Sequence, residues 1–285
     1  MPHMPSLAFH LRCLPLLLVA VAARSQDAPA WLPLREFTLE LHAHWEQLTD
    51  TKYGFEKKSL VRDLAPAVTK ASYGAEAFRP FLPPAEVAVG ASWKVDAASL
   101  LPFLRQLHAG ASIELHHDRG SGIGAHGAWA CLRLLDATSA EIVLRAHGEF
   151  LIAGDGKDDR SSWFTPSQFR GRLSLDRESG RVVAFELAVP RSSANVDVNL
   201  AEPPGTICDI GCVPRLELAG GTFPQPAKGA VQISERDAER FLERRFYPFA
   251  ELEWLDLPAA RAASVASGKP LHVIALFGSL TDESC

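Results

Sequence analysis

The sequence predicts an α+β protein: a β-rich antiparallel meander, forming a curved sheet or partial barrel, followed by a shorter α/β segment. Three observations carry this prediction. Residues 86–221 hold a series of short alternating apolar runs separated by turn residues. A stretch rich in glycine and proline, "GGTFPQPAKG", then interrupts the pattern. Beyond it two helical segments lead into "LHVIALFG", a wholly apolar run of the kind found in two-sided buried sheets.

The elements follow in order. "EFTLELHAHWEQLTD" and "SLVRDLAPAVTK" read as helices, and the prolines of "FRPFLPPAEV" stop any helix there. "VGASWKVDAASLLPFLRQLHAGA" predicts a strand and then a helix, with Asp96 as N-cap. Leu100, Leu101, Leu104 and Leu107 form the buried stripe, and Gly110 is the stop. The strands that follow are "SIELHHD", "GAWACLRLLDA", "AEIVLRAHGEFLIA", "QFRGRLSLD", "RVVAFELAVP", "ANVDVNL" and "VPRLELAG". "LSLDRESGRVVAFEL" spells a hairpin, and connections this short favour antiparallel neighbours. After the linker, Ser234 and Asp237 form a capping box opening one helix. Asp256 and Pro258 open a second helix, and Gly268 closes it.

The N-terminus predicts export. Arg12, with His3 and His10, precedes an apolar run from Cys13 to Ala23, and Ala23-Arg24-Ser25 supplies small residues for cleavage after Ser25. The run is too short to span a membrane, which takes about 20 residues. The expected organisation is a signal peptide over 1–25, a β-rich domain over 26–225 and a second domain over 226–285. The location is then secreted or periplasmic, with no transmembrane segment left after cleavage. At a net charge of −5 there is no basic footprint for nucleic acid.

In an oxidising compartment Cys131, Cys208, Cys212 and Cys285 could be bridged. Cys208 and Cys212 form a C-x-x-x-C that could close a small disulfide loop or stay as two thiols. A zinc site would need a second close pair. Gly122, Gly124 and Gly127 match the dinucleotide fingerprint in spelling. That fingerprint needs a helix after it, and "AWACLRLLDATSAEIVLRAHGEF" reads as a hairpin, so the stretch is a glycine-rich loop. His116 and His117 point to opposite faces of a strand and cannot readily share one ion. One of them could still join Asp118 or His126; otherwise they form a polar rim. "GDGKDDRSSWFTP" lacks the glycine and final glutamate of a calcium loop, so it reads as a solvated turn.

The closing "GKPLHVIALFGSLTDESC" resembles the redox segment of the selenoprotein N family, in which a strand and an acidic turn lead into Ser-Cys-selenocysteine-Gly. The match rests on Gly268-Lys269-Pro270, the strand ending in Phe277-Gly278, Asp282, and Ser284-Cys285. The family's membrane span and calcium-binding loop are not spelled here. The resemblance implies that residues 226–285 are an incomplete thioredoxin-like domain, and that the site residues are Ser284 and Cys285. A selenocysteine is expected immediately after Cys285, with no other cofactor and no metal. It implies a thiol/selenol oxidoreductase whose partner is a disulfide-bearing protein or a small oxidant, and a 285-residue form with little activity. The alternative is a non-enzymatic secreted module whose sheet binds an apolar ligand or a protein partner, because residues 86–221 carry no catalytic set.

Overall fold

A computed structural model describes residues 34–113, 127–152, 162–166, 168–191, 195–202, 205–247, 252 and 254–273. The fold is α+β, built on two open antiparallel sheets rather than a closed barrel. The larger sheet contains β1 (Thr38–Trp45), β2 (Lys70–Gly74), β3 (Ser92–Val95), β5 (Ala128–Leu135), β6 (Ser139–Ala146), β9 (Phe169–Asp176), β10 (Arg181–Ala188), β13 (Leu216–Gly221) and β14 (Val231–Gln232). Its order is β14-β5-β6-β9-β10-β13-β1-β2, and β3 also pairs with β5. The smaller sheet contains β4 (Ala111–Ser112), β7 (Glu149–Leu151), β8 (Trp163–Pro166), β11 (Asn195–Glu202) and β12 (Gly205–Cys212), in the order β12-β11-β8-β7-β4. The helices are α1 (Ser59–Arg62), α2 (Ala75–Phe78), α3 (Leu101–Leu107), α4 (Glu235–Phe246) and α5 (Leu257–Ser267).

Alternation sets the faces of the larger sheet. Leu41, Ala43 and Trp45 of β1, Ile142 and Leu144 of β6, Leu173 and Leu175 of β9, and Phe185 and Leu187 of β10 point into one buried core. Rings fill that core. Phe103 of α3 lies with its centroid 4.5 Å from Tyr73, 5.0 Å from Phe185, 5.5 Å from Phe78 and 5.6 Å from Phe81. Trp45 lies 5.4 Å from Phe150 and 5.3 Å from Phe164, which ties the two sheets together. Each buried ring adds hydrophobic burial and a preferred ring–ring geometry. Among the described residues this packing fills the core that the sheets enclose, which counts against the apolar-ligand alternative.

Several expectations hold at the level of single bonds. Asp96 accepts from Ala98 N at 3.2 Å. Leu100, Leu104 and Leu107 are buried. The hairpin joins β9 to β10, with Asp176 Oδ1 accepting from Glu178 N at 2.9 Å and Gly180 at φ 65°. Ser234 caps α4 by accepting from Asp237 N at 3.1 Å. Asp256 caps α5 by accepting from Ala259 N at 2.8 Å, and Gly268 closes it at φ 67°. Gly110 serves differently from a helix stop: a Cβ there would strike the Leu151 carbonyl oxygen, so the glycine lets two backbones approach.

Other expectations are corrected. Residues 38–45 form a strand, not a helix; Leu41, Ala43 and Trp45 alternate with exposed His42 and His44, a period of two. "AEIVLRAHGEFLIA" is two strands: the chain leaves the larger sheet after Ala146 and enters the smaller one at Glu149. Gly148 sits at this crossing, where a Cβ would lie 3.1 Å from Leu104 and 3.2 Å from Phe169. "SLVRDLAPAVTK" yields one helical turn, α1. Strands β2, β8, β12 and β14 went unpredicted, and β8 corrects the end of the stretch expected as a solvated turn: Trp163–Pro166 is a strand with Phe164, Thr165 and Pro166 buried.

The boundary expected near residue 226 falls in the extended stretch between β13 and β14. Beyond it, β14 pairs with Leu134 and Leu135 of β5, and α4 buries Ala238, Leu242 and Phe246. Helix α5 has no buried residue. Residues 271–273 are irregular, and the rest of "LHVIALFG" lies outside the described residues.

Candidate functional site

The sequence-predicted redox pair, Ser284 and Cys285, lies outside the described residues, as do His116, His117, Asp118 and His126. Gly127 is described, and β5 begins directly after it, so the dinucleotide fingerprint lacks the helix it requires. Among the described residues no group of three or more His, Cys, Asp or Glu is placed to hold a metal ion.

The described cysteines are free thiols. Cys208 and Cys212 both lie on β12, opposite Asn199 and Asn195 of β11. Four residue steps along the strand put their Cα atoms about 13 Å apart, well beyond the ~7 Å a disulfide can span. The small loop is therefore not closed. Burial and the nearby Asp197 carboxylate push the Cys208 thiol above its ordinary value. Burial and Asp50 do the same for Cys212. Cys131 is fully buried, and its thiol is pushed up to about 11. None of the three is poised as a thiolate near neutral pH.

The described residues do form a charged cleft of ≈ 240 Å³ on the outer face of the larger sheet. Sheet register builds it. Val143 of β6 lies opposite Arg172 of β9, which lies opposite Glu186 of β10. One step along, Arg145 lies opposite Arg170, which lies opposite Ala188. Helix α4 covers one side, packing Ala238 and Leu242 on Cys131 and Val143 in a small second apolar cluster. The amphipathic spacing of α4 puts Glu235 and Glu239 on the cleft while Leu242 faces the sheet.

The arginines of the cleft each have a defined support. Glu141, largely buried, accepts from Arg133 Nη2 at 2.9 Å and from Arg172 Nη2 at 3.1 Å. Burial works to raise the Glu141 pKa, but the two guanidinium groups outweigh it and hold the carboxyl below the usual range. Arg172 also lies 4.4 Å over the Phe223 ring. Arg170 pairs with Glu239 of α4. Arg145 is 3% exposed, bonds the Gln168 side chain, and lies 5.5 Å from the Phe246 ring and 5.6 Å from that of Tyr247. Nearby, His147 Nε2 and Glu149 Oε1, both buried, are 3.1 Å apart.

Sequence reasoning passed over these residues. The strands "EIVLRA", "FRGRLSL" and "AFELA" do show charges at alternate positions, which signals an outward face. Nothing in the order of residues says that three such strands are neighbours or that α4 lies beside them.

Fold and cleft together define a two-sheet α+β protein whose larger sheet carries a helix-bordered polar cleft on its outer face. Sequence comparison then gives the particular family. The chain is 28% identical to selenoprotein N of Danio rerio over 87% of its own length and 55% of that protein. It is 27% identical to selenoprotein N of Homo sapiens over 96% of its length and 56% of that protein, and 27% identical to that of Mus musculus over 88% and 56%. The chain is thus a selenoprotein N-like protein, and it spans about half the length of the curated relatives it matches. The likeness reaches well beyond the closing segment and takes in the β-rich part that had suggested no relative. No family model matches the chain. No solved structure matches it either.

Proposed function

We propose that the chain is part of an exported thiol/selenol oxidoreductase of the selenoprotein N kind, with Cys285 as its resolving thiol. The observation that carries this reading is the coincidence of two likenesses. Similarity to selenoproteins extends along 87–96% of the chain, and the closing residues spell the Ser-Cys of that family's redox motif. The filled core and the raised pKa values of Cys131, Cys208 and Cys212 add to it, because none of the described thiols is built for exchange.

In this reading a selenocysteine directly after Cys285 attacks a substrate disulfide. One sulfur becomes bound to selenium and the other leaves as a thiolate. The Cys285 thiolate then attacks selenium, expelling the second substrate sulfur and leaving an internal selenenylsulfide. The substrate gains two electrons and two protons, and the site loses the same. An external dithiol restores the reduced pair. Ser284 is the second site residue that the family's motif supplies. Residues 226–285 serve as a thioredoxin-like module and the signal over 1–25 directs export.

The test compares the 285-residue chain with a chain continued through selenocysteine and glycine, in turbidimetric insulin reduction with dithiol present. The continued chain should reduce insulin and the 285-residue chain should not; equal activity overturns the reading. Mass spectrometry of the native protein should show an N-terminus at Gln26 and a peptide running past Cys285 with a selenium isotope pattern. An N-terminus at Met1 overturns export alone.

A further inference from the structure

We propose that the cleft between α4 and strands β6, β9 and β10 binds a small zwitterion of peptide type, whose carboxylate meets Arg170 and Arg172 and whose ammonium meets Glu186 and Glu235. This goes beyond the redox reading and does not depend on it.

The argument begins with charge. Arg145, Arg170 and Arg172 line one cleft with Glu186, Glu235 and Glu239. Three guanidinium groups against three carboxylates leave no net field to select a simple anion or cation. A ligand carrying both charges on a short backbone can answer both sets.

The partners already made divide these groups by role. Arg145 is 3% exposed and held by Gln168, Phe246 and Tyr247, so it is a wall of the site rather than a contact. Arg170 and Arg172 keep about a third of their side chains exposed, 33% and 35%. Glu141 holds Arg172 from below through Nη2 and Phe223 holds its face, so the guanidinium is fixed before a ligand arrives. A fixed guanidinium fork suits a carboxylate better than a lysine ammonium would.

The rest of the lining is apolar or small: Val143, Ala188, Pro190 and Leu242. That floor suits methylene groups, and ≈ 240 Å³ admits a residue-to-dipeptide-sized body rather than a large apolar ligand. The γ-glutamyl end of glutathione disulfide, an ammonium and a carboxylate on one carbon followed by a short apolar arm, has the required pattern and size.

The experiment is titration calorimetry of the 285-residue chain carrying Cys285→Ser, with oxidised glutathione as the probe and inorganic phosphate as competitor. Replacing Cys285 removes exchange chemistry, so this result and that of the insulin assay are separable. Saturable one-site binding is expected, weakening as salt is raised. Loss of one charged contact in Arg172→Ala or Glu186→Gln should weaken it about tenfold or more. Because Arg172→Ala also disturbs Glu141, Ala188→Leu is the second variant. It fills the cleft from β10 without touching a charge and should abolish binding while the melting temperature holds. Three results overturn the proposal: no saturable binding, binding indifferent to Glu186→Gln and Ala188→Leu, or inorganic phosphate at the concentration of the probe abolishing its heat of binding.

Discussion

Glu141 of β6 and Arg172 of β9 meet at 3.1 Å across the outer face of the larger sheet, and Arg133 of β5 binds the same carboxylate at 2.9 Å. One acid thus ties three strands that lie next to one another in the order β5-β6-β9. Glu141→Gln should lower stability by about 2–4 kcal/mol, because it leaves two guanidinium groups beside a neutral, largely buried partner. Chemical denaturation should show a lower midpoint with an unchanged slope.

The same carboxylate should make stability depend on acid. Its folded pKa lies below its ordinary 4.5. The stabilisation is therefore complete above about pH 4.5 and lost as pH falls through the depressed folded value. Wild type should lose stability more steeply than Glu141→Gln below pH 4.5. Parallel curves for the two would remove Glu141 from that role.

Thiol labelling should rank the described cysteines by exposure. Cys208 is exposed and Cys131 is fully buried. With iodoacetamide at neutral pH, mass spectrometry should find Cys208 alkylated first and Cys131 only on unfolding. Cys208→Ser should change stability by less than about 0.5 kcal/mol, as for a surface substitution with no bridge to lose.

The aromatic core should tolerate truncation poorly. Phe103→Ala removes a ring in contact with Tyr73, Phe78, Phe81 and Phe185, and should cost about 3–5 kcal/mol. Gly110→Ala should cost about 1–3 kcal/mol by forcing apart the two backbones that meet at Leu151. Thermal unfolding reads both.

Helix α4 is fastened to the sheet by its cap as well as its apolar face. Ser234→Ala removes the acceptor for Asp237 N and should cost about 1 kcal/mol. Hydrogen exchange should speed up first at the start of α4, with β9 and β10 unchanged.

What the sequence determined by itself was whatever depends on near neighbours in the chain. The caps at Asp96, Ser234 and Asp256, the turn from Asp176 to Gly180 and the alternation of β5, β6, β9 and β10 are each settled within a few residues, by one side chain reaching one amide or by a period of two. The family likeness was legible in the last eighteen residues for the same reason. Where a local pattern admitted two readings, as in "TLELHAHW", only the pairing of β1 with β2 and β13 selected the strand. Tertiary structure alone decided that "AEIVLRAHGEFLIA" divides between two sheets, because Leu104 and Phe169, distant in sequence, close on Gly148. It alone decided the cleft. Arg145, Arg170, Arg172, Glu186 and Glu239 come from three strands and a helix, and only sheet order and the seating of α4 bring such residues within reach of one small molecule.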